Sequence, residues 1–176
     1  EFWSEKANRI SWIKKWDTVS DVDYNNAKIS WYKGAKLNVS YNCIDRHIEL
    51  GNGDKTAIIW EGNSPDESIS FTFNELLNEV SKFANVLKKY NIKKGDRVCI
   101  YMQMIPELAI AMLACARIGA VHSIVFGAFS SDSLKERIND SKCKALITQD
   151  TGVRGLKQDI PMKSNADKAL DITFPN

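Results

Sequence analysis

Between Arg97 and Thr148 the chain alternates strand-length apolar runs with helix-length segments, and no other feature limits its possible folds as much. Arg97-Val98-Cys99-Ile100-Tyr101-Met102 reads as a strand that follows a break at Lys94-Gly95-Asp96. Pro106 suits a first helical turn, residues 106–118 are apolar on nearly all sides, and Gly119 ends the segment. That composition predicts a well-buried helix. Ala120 to Phe126 is a continuous apolar run of the kind found inside parallel sheets. Ser131 or Asp132 can cap a helix reaching Asn139, and Lys144 to Thr148 supplies the next strand. The order β-α-β-α-β predicts an α/β fold with a parallel sheet. Ligands of such sheets bind beyond the carboxyl ends of the strands. Gly127-Ala128-Phe129-Ser130 and Gln149-Asp150-Thr151-Gly152-Val153-Arg154 therefore fall on the side where a ligand is expected.

Upstream, Thr56 to Trp60 and Ile69 to Phe73 read as two strands joined through the turn residues Asn63-Ser64-Pro65-Asp66, which predicts a hairpin. Thr72 followed by Glu75 fits a capping box, opening a helix with Leu76, Leu77, Val80, Phe83, Ala84 and Leu87 on one face. All five tryptophans lie within the first 60 residues. Ile10, Trp12, Ile13 and Trp16 carry a stripe that predicts a short amphipathic helix, and Leu37, Tyr41, Ile44 and Ile48 carry a second. Residues 1–50 are thus expected to form a helical extension wrapped on a larger body, and residues 51–176 an α/β lobe.

A chain of 176 residues forms one medium domain or one lobe of a larger one. Its apolar share of 44% and charged share of 26% argue against disorder. The net charge is +2, with both signs dispersed, so there is no concentrated basic face to suit nucleic acid. No run approaches the roughly 18 apolar residues that span a membrane, and the first residues lack a signal-peptide pattern. A cytoplasmic location without membrane partners is expected, with a nuclear or organellar pool left open. Cys43, Cys99, Cys115 and Cys143 form no C-x-x-C pair, and reduced, buried roles are expected of them.

Three constellations bear on chemistry. Gly127-Ala128 followed by Ser130-Ser131 joins a strand to a helix. Small residues there let a backbone approach a ligand, and the helix N-terminus can receive negative charge. An ordinary tight turn accounts for the same residues. Thr151-Gly152-Val153-Arg154-Gly155-Leu156-Lys157 reads as a loop with two cations three residues apart. Arg154 can hold a phosphate bidentately, with Lys157 as a second point charge, although basic loops are common. Cys43 and His47 have the spacing of a two-ligand metal face, but zinc needs three or four ligands and no further Cys or His lies near. His122, inside an apolar strand, reads as a hydrogen-bonded core histidine rather than a base. The glycine-rich nucleotide motifs, the nucleophile elbow and H-E-x-x-H are absent from the sequence. The residues alone stop at an α/β lobe with a candidate anion-binding edge.

Several stretches together resemble the acetyl-CoA synthetase branch of the adenylate-forming enzymes. They are Trp31 to Asn38, Asn42 to His47, Tyr101-Met102, Pro106-Glu107, Ala116 to Ser123, Phe126 to Ser130 and Ile147 to Gly155. The similarity runs from about residue 10 onward, and Arg117 to Ser130 is its most specific part. It implies an AMP-forming ligase that makes acetyl-CoA from acetate, ATP and CoA through acetyl-adenylate, with Mg2+. By the same resemblance Val153-Arg154-Gly155-Leu156-Lys157 contacts the 3′-phosphate end of CoA, and the Gly127-Ala128 turn lies against its adenine. The chain departs from the family where Leu156 and Lys157 replace a common small residue and arginine, and where Ala128 replaces a common glycine. The family's Ser/Thr/Gly-rich phosphate loop ending in Lys-Gly does not occur here. Asp167, Leu170 and Pro175 fall where the family chain continues. An N-terminal piece is therefore expected: no catalytic residues, inactive alone, only part of the CoA site, and the remainder of its own chain as partner. A ligase for propionate or another short acid, and a stand-alone CoA- or nucleotide-binding module, are the alternatives.

Overall fold

The computed structural model describes residues 1–173; Pro175, with the last residues of the expected 51–176 lobe, lies outside them. The chain opens with the short helix α1 (Phe2–Lys6) and a 3-10 turn, Ala7–Arg9. Strands β1 (Thr18–Asp23) and β2 (Lys28–Lys33) follow as an antiparallel hairpin. The helix expected over Ile10 to Trp16 does not form. Its backbone hydrogen bonds go elsewhere: Ile13 and Lys14 donate to the Lys36 carbonyl, and Lys36 donates back to Lys14. The apolar spacing that mimicked a helix serves a ring cluster, in which Trp12, Trp16 and Tyr32 stand 5.3 Å apart, centroid to centroid. Trp12 Nε1 closes the cluster by donating to the Ala7 carbonyl at 2.8 Å. The extension is thus helical only at its two ends, with a hairpin between them.

The second stripe does fold as a helix, with π-helical stretches at Tyr41–Asp45 and Ile48–Asn52. It buries Ile44 in the main core. Asn38 Nδ2 reaches the Ala116 and Arg117 carbonyls at 3.0 and 3.2 Å and binds the extension to the lobe.

Strands β3 (Thr56–Glu61) and β4 (Ser68–Thr72) form the expected hairpin. Helix α2 (Phe73–Lys89) starts at Thr72, whose hydroxyl accepts from Glu75 N while the Glu75 carboxylate accepts from Thr72 N at 2.8 Å. That reciprocal cap satisfies donors the first helical turn leaves free. Next come β5 (Arg97–Met102), α3 (Pro106–Ile118), β6 (Val121–Phe126), α4 (Ser131–Ser141) and β7 (Ala145–Thr148). Ser130 caps α4, one residue before the expected position, and the helix runs to Ser141 rather than Asn139.

Strands β6 and β7 both run parallel to β5 and flank it, in the order β6-β5-β7. Alternation along β5 divides the core. Val98, Ile100 and Met102 pack with α2 and α3 on one face, while Cys99 and Tyr101 pack with α4 on the other. The apolar run of β6 is of the kind found inside parallel sheets. It is an edge among the described residues, with Val121 54% and Phe126 55% exposed, because no described strand pairs with its outer side.

Past β7 the expected basic loop is instead a small antiparallel hairpin of β8 (Gly152–Arg154) and β9 (Lys157–Ile160), followed by α5 (Met162–Thr173). Met162 and Ala166 from α5 join the core on the α4 face. Among the described residues no helix is long and apolar enough to cross a membrane.

Candidate functional site

The chain direction in a parallel sheet brings the residues after β5, β6 and β7 to one end, and a cleft of about 1040 Å³ opens there. Gln103, Gly127 and Gln149, each the first residue beyond its strand, form its floor. One wall is the β3–β4 hairpin, from Trp60 to Glu67, and the other is the β8–β9 hairpin, from Gly152 to Ile160. Gly127, Ala128, Arg154, Gly155 and Lys157 all line this cleft. Leu156 does not. It stands fully exposed at the β8–β9 turn.

The hairpin changes what the two cations can do. Arg154 and Lys157 are register partners across β8 and β9. Directly opposed residues share a face, so the two charges converge as a loop would not guarantee. Neither is engaged in an ion pair among the described residues, so both remain available to an anion. The acidic residues of the lining, Glu61 and Glu67, sit on the opposite wall. The cleft therefore has a positive side and a negative side.

The Gly127 turn is fixed from beneath. The buried Tyr101 hydroxyl donates to the Phe129 carbonyl at 2.7 Å and lies 3.3 Å from the Gly127 carbonyl. A Cβ on Gly127 would lie 3.0 Å from Gln103 Cγ, 3.1 Å from Met162 Cε and 3.2 Å from the Met102 carbonyl. The protein's own packing thus favours a small residue at this position, and it is the exposed Ala128 that faces outward. The helix beyond this turn is capped by its own Ser130, whose Oγ accepts from Ser133 N at 3.3 Å.

Sequence reasoning missed the residues that hold the walls. Trp60 Nε1 donates to the Met104 carbonyl at 2.6 Å, and Asn63 Nδ2 donates to the Gly155 carbonyl at 3.0 Å. Gln149 accepts from Gln103 N and donates to the Thr151 carbonyl, both at 2.7 Å. Gln103 Oε1 accepts from Val153 N at 2.8 Å. The one available signal was position, since both glutamines directly follow a strand end.

The remaining candidates carry no site. His47 stacks on Phe73 at 4.8 Å, and no group of three or more His, Cys, Asp or Glu suited to a metal exists among the described residues. His122 lies half-buried on the edge strand with no side-chain hydrogen bond among the described residues, so the expected bonded core histidine is not found. Cys99 and Cys115 are buried, Cys143 is half-buried and Cys43 is exposed; all four are free thiols. Burial pushes the Cys99 thiol up to about 12 and the Cys115 thiol up to about 11.

The family model described as AMP-binding enzyme matches residues 46–173, which is most of the chain. The chain belongs to the AMP-binding enzyme family. A second model, described as the acetyl-coenzyme A synthetase N-terminus, matches residues 1–43 of this AMP-binding enzyme chain. An acetyl-coenzyme A synthetase of Magnetococcus marinus is 59% identical over 170 residues, 96% of the chain. Those of Alcanivorax borkumensis and Rubrobacter xylanophilus are 57% and 55% identical over 97% and 98% of it. The chain spans about a quarter (26%) of the length of each of these relatives.

Proposed function

We propose that this AMP-binding enzyme chain supplies the coenzyme A edge of an AMP-forming acetate–CoA ligase. The observation that carries the reading is the pairing of Arg154 and Lys157 across a hairpin that overhangs the strand ends, in one cleft with Gly127 and Ala128. A guanidinium and an ammonium on one face suit a phosphate: the first supplies a planar fork, the second a compact point charge. The cleft is large enough for a nucleotide-sized group. The names of the relatives, acetyl-coenzyme A synthetases, support acetate as the acid.

In the proposed reaction an acetate oxygen attacks the α-phosphorus of ATP, giving acetyl-adenylate and pyrophosphate. The CoA sulfur then attacks the acetyl carbonyl carbon, the C–O bond to phosphate breaks, and AMP leaves as acetyl-CoA forms. Mg2+ in such chemistry neutralises phosphate charge. The described acidic residues do not fit a Mg2+ site, and none is assigned that role. The part given to this chain is positioning. Arg154 and Lys157 take the 3′-phosphate, the Gly127-Ala128 turn backs the adenine, and the thiol end is directed to the reacting carbonyl. Residues 1–50 brace the 51–176 lobe that carries these groups, and ATP and acetate are bound by the remainder of the chain.

The test uses Arg154→Ala in the full-length enzyme. A charge-assisted hydrogen bond contributes about 1.5–3 kcal/mol, so the KM for CoA is expected to rise about tenfold or more. Acetate-dependent exchange of pyrophosphate into ATP, which needs no CoA, is expected to stay at the wild-type rate. Equal loss in both assays removes Arg154 from the CoA site.

A further inference from the structure

Arg154 sits on a strand of three residues paired with one of four, and so small a ribbon is marginal by itself in water. What holds it is a relay of two side-chain amides. Gln103, directly after the central strand β5, accepts from Val153 N through Oε1 at 2.8 Å. Its own backbone N–H donates to Gln149 Oε1 at 2.7 Å, and Gln149 Nε2 donates to the Thr151 carbonyl at 2.7 Å. On the far side of Arg154, Asn63 Nδ2 takes the Gly155 carbonyl at 3.0 Å. Arg154 is thus bracketed one residue before and one residue after by side chains from other elements.

The Gln103 amide also fills the space under the hairpin. A Cβ on Gly152 would lie 2.5 Å from Gln103 Cδ and 2.6 Å from both Oε1 and Nε2, so the amide lies flat against the Gly152 backbone. On its other side Gln103 Cγ lies 3.0 Å from where a Cβ on Gly127 would stand. One side chain therefore sets the spacing between the two halves of the cleft, the Gly127 turn and the basic hairpin. The Val153 N–H demands an acceptor, which fixes the amide with Oε1 toward the hairpin and leaves Nε2 without a hydrogen-bond partner among the described residues.

We infer that Gln103 is a positioning residue for phosphate recognition, holding the β8–β9 hairpin so that Arg154 meets the 3′-phosphate of CoA in one geometry. The inference rests on the coenzyme A reading of the cleft. Bidentate recognition of a phosphate is geometrically demanding, and a hairpin loosened at Val153 spreads the guanidinium over many positions.

The experiment compares CoA with 3′-dephospho-CoA as the acyl acceptor in the full-length enzyme. Gln103→Met keeps the length and bulk of the side chain but removes the acceptor for Val153 N–H. Its KM for CoA is expected to rise about tenfold, its KM for dephospho-CoA to stay unchanged, and pyrophosphate exchange to report an intact fold. Arg154→Ala is the reference, expected to erase the preference for the 3′-phosphate. If Arg154→Ala leaves that preference intact, the coenzyme A reading of the hairpin fails. If Arg154→Ala erases it while Gln103→Met retains it, or raises both KM values equally, the positioning role of Gln103 fails and the reading of the site survives. Should Gln103→Met lose pyrophosphate exchange, Gln149→Met breaks the same relay from the other strand, and retention of the preference in that variant overturns the inference.

Discussion

Arg117 on α3 grips Asp45 of the extension with two parallel hydrogen bonds, Nη1 to Oδ2 and Nη2 to Oδ1, each 2.8 Å. The pair is mostly shielded from water and joins segments 72 residues apart. Hydrogen bonding from Arg117 holds the Asp45 carboxyl below the ordinary carboxylate range and raises the guanidinium in turn. Asp45→Asn is expected to cost about 1–3 kcal/mol at neutral pH, read as a lower midpoint of thermal unfolding. Because the folded-state value lies under the unfolded one, the stabilisation is complete above the ordinary carboxylate range. It is lost as pH falls through the depressed value. The gap between wild type and Asp45→Asn should therefore close on acidification below about pH 4, and a gap that stays constant contradicts the assignment.

Gly152→Ala tests the packing under the basic hairpin. The new methyl collides with the Gln103 amide, whose nearest atom lies 2.5 Å from where the Cβ would stand. The amide must leave its place against Val153. A stability cost of about 1–3 kcal/mol is expected, together with a rise in the KM for CoA and unchanged pyrophosphate exchange. A rise in KM without any change in stability argues against the crowding.

Gly119 ends α3 in the left-handed region, at φ +76°, and its N–H takes the Ala116 carbonyl. Gly119→Ala meets the intrinsic cost of that conformation, about 1–2 kcal/mol, and brings a methyl within 2.9 Å of Lys94 Cγ. The midpoint of thermal unfolding should drop by several degrees with no selective effect on either half-reaction. A CoA-specific defect contradicts the purely structural role.

Thiol reactivity offers a separate check on the core. Cys99 and Cys115 are buried and shifted up to about 12 and about 11, so at pH 8 both stay neutral and shielded. Iodoacetamide on the native protein should modify the exposed Cys43 first and leave Cys99 and Cys115 untouched until denaturant is added. Early labelling of Cys99, located by peptide mass spectrometry, contradicts the packing of the α4 and α5 face.

Local rules carried the sequence reading far in some places and misled it in others. The Thr72–Glu75 cap, the Pro106 start and the Gly119 stop each depend on residues within a few positions, so they were visible in the order of amino acids. The spacing of Trp12 and Trp16 was equally visible but had a non-local cause, the contact with Tyr32 on β2. The apolar run of β6 gave its strand and its parallel direction, and among the described residues it stands at the edge of the sheet. At the cleft, the cations and the small turn residues were legible as residue types, whereas the hairpin that pairs Arg154 with Lys157 was not.

By itself the sequence determined which segments are strands and helices between residues 55 and 148, and that the strand ends would share one side. These follow from periodicity and capping, which act over a few residues. The tertiary structure alone decided that Gln103 meets Gln149 across 46 residues, and that Asn63 meets Gly155 across 92. Closing loops of that length costs entropy that no local preference offsets. Only the assembled β6-β5-β7 sheet, with its buried faces, brings those amides to the backbone groups they satisfy.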